Sequence, residues 1–82
     1  MNHAALLKSL EALKPDRLTF RQASALLDLA RKMVGSRAAF DRYRASFEPG
    51  SKVAAPGMYD AWKAAANETD KAVEGLNDAV QR

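Results

Sequence analysis

No cysteine occurs among the 82 residues, and histidine occurs once, as His3. The first absence excludes a disulfide framework, thiolate metal sites and cysteine nucleophiles together. The second leaves nucleophilic hydrolysis a single base candidate at the start of the chain, with no second histidine and no acid cluster beside it. No apolar run approaches the roughly 18 residues that can cross a bilayer, and no basic-then-apolar leader opens the chain. Phosphate-cradling loops are missing too, since residues 49–57, PGSKVAAPG, contain Gly-Ser-Lys without the spacing of a P-loop. These absences predict a non-enzymatic protein with no cofactor and no metal site, cytoplasmic and independent of membranes. A chain of 82 residues suits one domain, 1–82, with a thin stability margin, because domains near this size bury only about 60% of their unfolded surface.

What is present is period. From Pro56 onward, Met58, Trp62, Ala65, Thr69, Ala72, Leu76 and Ala79 recur in alternating steps of four and three, the spacing of an amphipathic helix with one buried face. Val73 and Val80 fall beside this seam, and Asp70, Glu74 and Asp78 fall opposite it, where water keeps carboxylates ionised. About 25 residues in a helix make a rod of about 37 Å. The rest of the chain is expected to pack against that rod.

Upstream, Leu6, Leu7, Leu10 and Leu13 share one side of a predicted helix over 3–13, with Asn2 as N-cap and Pro15 as terminator. Thr19 and Gln22 carry a capping box, with Leu18 placed as a staple against Ala23. The predicted second helix, 20–34, has an apolar arc of residues 20, 23, 26, 27, 30, 33 and 34, widened by Leu29. An arc that wide suits a central helix touching neighbours on two sides, or one side facing a partner. Asp28 and Lys32 are spaced as an i,i+4 ion pair. Gly35 occupies a left-handed C-cap position and Ser36 an N-cap, which predicts a break and a third helix over 37–47. Phe40, Tyr43 and Phe47 on that helix are expected to bury Trp62. Residues 48–57 predict a loop, with Pro56 at the first position of the last helix. The fold class is therefore all-α: three main helices plus a shorter N-terminal one, the C-terminal helix long.

The net charge is +3, unevenly spread: residues 1–47 hold nine Lys/Arg against four Asp/Glu, and residues 58–82 hold three against five. A basic front and an acidic tail can attract each other within or between chains, and the front suits an acidic protein or a nucleic acid. Helix, Gly-Ser turn and helix outline a helix-turn-helix. Arg31, Lys32, Arg37, Arg42 and Arg44 are then the candidate contacts to nucleic acid or to an acidic partner, arginine being the usual reader of guanine edges. The stretch LTFRQASALLDLA resembles the opening helix of winged-helix regulators of the multiple-antibiotic-resistance type, but the two strands of a wing are missing. Against nucleic acid, Asp41 sits among the arginines.

Protein binding draws on more of the chain. One antiparallel neighbour of about 22 Å cannot cover the whole seam of a rod of about 37 Å. Val73, Leu76 and Val80 are accordingly candidate helix–helix interface residues, covered by the first helix or by a second copy in a homodimer. In size, helical class and lack of catalytic constellations the chain is similar to the small inhibitor proteins that phages carry against bacterial machinery, anti-CRISPR proteins among them. That similarity implies a protein partner; no motif carries it.

Overall fold

The computed structural model describes residues 2–47, 50 and 53–81. Three α-helices follow one another: α1 (His3–Ala12), α2 (Phe20–Ala45) and α3 (Met58–Gln81), with a single 3₁₀ turn, Pro15–Arg17, between the first two. No strand occurs among the described residues. The protein is all-α, and its long C-terminal helix is the element both others pack against.

The helix starts follow local chemistry. Asn2 Oδ1 accepts the Ala5 N–H at 3.1 Å and opens α1. Leu13 is already extended, and so is Lys14, the residue that Pro15 bars from helical angles. At α2 the capping box closes in both directions: Thr19 Oγ1 accepts from Gln22 N–H at 3.0 Å, and Gln22 Oε1 accepts from Thr19 N–H at 3.2 Å. At α3, Pro56 lies in the turn before the helix rather than inside it. Gly57, at φ +82°, reverses the chain and its carbonyl accepts the Ala61 N–H at 3.0 Å. Of the predicted loop, residues 48, 49, 51 and 52 lie outside the described residues; the others are turn or irregular.

The predicted break at Gly35-Ser36 does not exist. Residues 20–45 form one helix of 26 residues, and Gly35 keeps a negative φ. The two predicted helices 20–34 and 37–47 are therefore one, and no helix-turn-helix is formed. The continuity has a packing cause. Gln22, Ala25, Leu29, Lys32, Ser36, Ala39 and Tyr43 are all buried or half-buried, in the same alternation of three and four that runs along α3. A helix that stays in phase with its partner across residue 35 gains contacts beyond the glycine, and these outweigh the roughly 1 kcal/mol that glycine costs inside a helix.

Helices α2 and α3 run antiparallel, in a register read from side chains that meet. Gln22 Nε2 donates to Ala79 O at 3.5 Å near one end. In the middle, the buried Thr69 hydroxyl lies 3.1 Å from Lys32 O and 3.0 Å from Ala65 O, tying the two helices backbone to side chain. At the far end the rings of Tyr43 and Tyr59 lie 5.7 Å apart. Lys32 pairs across the helices with Glu68 at 3.9 Å rather than along its own helix with Asp28.

Helix α1 lies beside the C-terminal half of α3 only, with Ser9 Oγ donating to Asn77 Oδ1. The molecule is consequently elongated, 51 × 21 × 17 Å, three helices thick at one end and two at the other. The aliphatic core sits at the thick end: Leu6, Leu29, Ala72, Val73 and Leu76, with Leu13, Ala25, Leu26 and Val80 packed around them. Leu76 is fully buried, at 0% exposure. The C-terminal seam is thus covered by the chain's own α1 and α2, and the stripe Leu6, Leu13 supplies part of the cover.

The thin end is held by aromatic rings. Trp62 lies 4.9 Å from Phe40 and stacks on Tyr43 at 5.3 Å between centroids. Phe47 reaches the cluster through Tyr43 rather than by touching Trp62. Trp62 is half-buried, not enclosed as predicted. With only two helices at this end, one side of the ring has no element to cover it.

Candidate functional site

The face that α2 turns to α3 is not its apolar face. Three polar residues, Gln22, Lys32 and Ser36, sit in the seam, while Phe20, Leu27, Met33 and Val34 point elsewhere. Phe20 is 88% exposed, Leu27 56% and Val34 71%. They are seven residues apart, so they form one stripe along the helix. Ala23 and Ala30 lie between them, and Met33 is exposed beside Val34. Of the wide arc, Phe20, Leu27, Ala30, Met33 and Val34 are exposed, Ala23 and Leu26 are half-buried, and Leu29 is buried.

This surface is shaped as well as apolar. Leu18, Ala23, Leu26, Leu27 and Ala30 line one shallow depression along it. Around Met33 the stripe meets a groove of about 310 Å³ between α2 and α3, lined by Met33, Ser36, Arg37, Phe40, Trp62 and Thr69. The incompletely covered side of Trp62 opens into that groove. Asp41, held by Arg37 at 3.2 Å, stands where the next large apolar residue of the stripe would be and ends it.

The five basic candidates do not share one face. At 100° per residue, Arg31 and Arg42 fall on one edge of the stripe, and Arg37 and Arg44 on the other. Arg31, Lys32 and Arg42 line a groove floored by small residues, among them Gly35, Ala39, Ala61 and Ala65. Across the stripe, the guanidinium groups of Arg37 and Arg44 lie 5.5 and 6.0 Å from the centre of the Phe40 ring. Val73 and Leu76 are buried inside the chain and Val80 is half-buried.

No group of three or more His, Cys, Asp or Glu side chains gathers in metal-binding geometry among the described residues. On α3, Glu74 and Asp78 are exposed and Asp70 is half-buried. Among the described residues no helix is long and apolar enough to cross a membrane. Phe20, Leu27 and Val34 belong to the wide arc that suited either neighbours on two sides or a partner on one, and the residues alone do not say which of them stay outside.

The geometry defines a small three-helix protein that presents an apolar helix face bordered by arginines. No protein family, curated protein or solved structure matches the chain.

Proposed function

We propose that this chain is a non-enzymatic binding protein that acts by docking the outer face of α2 on another protein. One observation carries the reading: Phe20, Leu27 and Val34 form a continuous exposed stripe on a helix whose other side is already committed to α3. Burying an exposed side chain of this kind gives about 1.5–3 kcal/mol when complete, a gain that offsets part of the cost of association. Contiguous apolar surface rimmed by charge is the usual mark of an interaction site. Occlusion of a partner's working surface by such a face fits the manner of the small inhibitors that phages carry against bacterial machinery. Capture from host lysate with the parent chain and with Leu27→Asp tests it. A protein retained by the parent after nuclease treatment and lost with the variant supports the reading. A partner set unchanged by the substitution sinks it.

A second reading rests on Arg31, Lys32 and Arg42, which line one groove. A nucleic-acid backbone laid there would give binding that falls steeply as salt rises, because neutralised phosphates release their counterions. Arg31→Ala with Arg42→Ala should then weaken retention of duplex DNA or structured RNA. No retention of either at low salt removes this reading.

A further inference from the structure

The stripe on α2 has the dimensions and borders of a site for one particular kind of ligand. Phe20 to Val34 spans about 21 Å at 1.5 Å per residue, four turns of helix. Large residues at every seventh position alternate with Ala23 and Ala30. Side chains from a facing helix can therefore enter between Phe20, Leu27 and Val34, and its backbone can approach closely over the alanines. Asp41 stops the apolar surface at one end.

The borders are positive. Helix α2 carries six bases, Arg21, Arg31, Lys32, Arg37, Arg42 and Arg44, against two acids, Asp28 and Asp41; Lys32 lies in the seam paired with Glu68, and Arg37 holds Asp41 at 3.2 Å while its side chain stays largely exposed. Arg31 forms no ion pair among the described residues, and it stands at one edge of the stripe with Arg37 at the other. A second copy of α2 brought onto this face would set Arg31, Arg37, Arg42 and Arg44 against the same four. An acidic helix would instead meet complementary charge at Arg31 on one edge and at Arg37, just past Val34, on the other.

Resting on the reading that this face binds protein, we infer that its occupant is an acidic amphipathic helix of the partner. That helix is about four turns long, with its apolar side seated on Phe20, Leu27 and Val34 and carboxylates facing Arg31 and Arg37. Recognition is of the helix-in-groove kind, with anchors at heptad spacing.

The test uses three synthetic peptides of about 21 residues: leucines at heptad positions flanked by glutamates, the same with lysines, and a scrambled sequence of the glutamate composition. Binding is read by fluorescence anisotropy and by amide shift changes. The glutamate peptide should bind at least tenfold tighter than either of the others, with shifts confined to the outer face of α2. Leu27→Asp or Phe20→Asp should weaken it at least tenfold, two substitutions at exposed positions so that a folded variant is in hand. Arg31→Glu with Arg37→Glu should invert the preference toward the lysine peptide. Equal binding of the glutamate and lysine peptides, or shifts elsewhere on the molecule, overturns the inference. So does a dimer in light scattering that Leu27→Asp converts to monomer, since the occupant is then a second copy. A nucleic acid that displaces the stripe's occupant and binds Leu27→Asp equally well overturns it also. Should Leu27→Asp abolish capture of a host protein while none of these peptides binds, the docking face stands and the acidic helix falls.

Discussion

Replacing Gly35 by alanine distinguishes one continuous α2 from two helices with a turn between them. In the continuous helix Gly35 has helical φ, and a Cβ added there meets nothing within 4 Å. The substitution then removes only the conformational freedom that glycine has in the unfolded chain. Glycine costs about 0.5–1 kcal/mol relative to alanine inside a helix, so Gly35→Ala should stabilise by that amount. For a domain of this size each kcal/mol moves Tm by roughly 4–8 °C, giving an expected rise of about 2–8 °C in a reversible melt followed at 222 nm. Gly75 offers a matched control, since it too lies inside a helix with open space for a Cβ. Gly57 offers the opposite control: at φ +82° an alanine is strained and Tm should fall. A fall with Gly35→Ala, of the size seen for Gly57→Ala, would mean that residue 35 is a left-handed cap and that α2 is broken after all.

Three further outcomes follow from the packing. Leu76→Ala empties the only large side chain that is fully buried among the described residues and should cost about 2–5 kcal/mol, with the mass in light scattering unchanged because α1 and α2 of the same chain provide the cover. Trp62→Ala removes a half-buried ring from the thin end. It should cost less than the roughly 3–5 kcal/mol of a core aromatic, and a loss at or above that range would show that the ring is enclosed. Thr19→Ala opens the capping box and should lower stability by about 1 kcal/mol; Thr19→Gly should cost only a few tenths, and equal costs would rule out the side-chain cap.

Where local chemistry decides the structure, the sequence was readable. Asn2, Thr19 and Gln22 cap their helices by contacts within three residues, so no distant partner could alter them. The seam of α3 was legible because its apolar and small residues coincide with its buried face over the whole helix. Helix α2 misled on two counts for one reason. Gly35-Ser36 has the local form of a stop and a start, but residues on both sides hold the same phase against α3, and that tertiary contact overrides a glycine penalty of about 1 kcal/mol. The same contact chose the face of α2 that is buried. Lys32 and Ser36 are drawn into the interface because their neighbours Leu29 and Ala39 fit there and because Lys32 O receives the Thr69 hydroxyl. Phe20, Leu27 and Val34 are left outside. Hydrophobicity alone favours the opposite rotation, and only the register between two helices, invisible in either one, resolves it. The arginines illustrate the same limit: their pairing followed from spacing on a helix, but their position on either side of an apolar stripe depended on which face α3 occupies.

The central claim is the rotation of α2, and it is tested most directly by comparing Leu27→Asp with Leu29→Asp in thermal melts. The two leucines are two residues apart on one helix, yet Leu27 is 56% exposed and Leu29 3%. An exposed substitution generally stays within about 0.5 kcal/mol, so Leu27→Asp should leave Tm close to that of the parent. A carboxylate forced into the core at residue 29 must be desolvated without a partner and should abolish the cooperative transition or lower it by tens of degrees. If Leu27→Asp is the damaging change and Leu29→Asp the tolerated one, α2 presents its other face to α3 and the outer stripe does not exist.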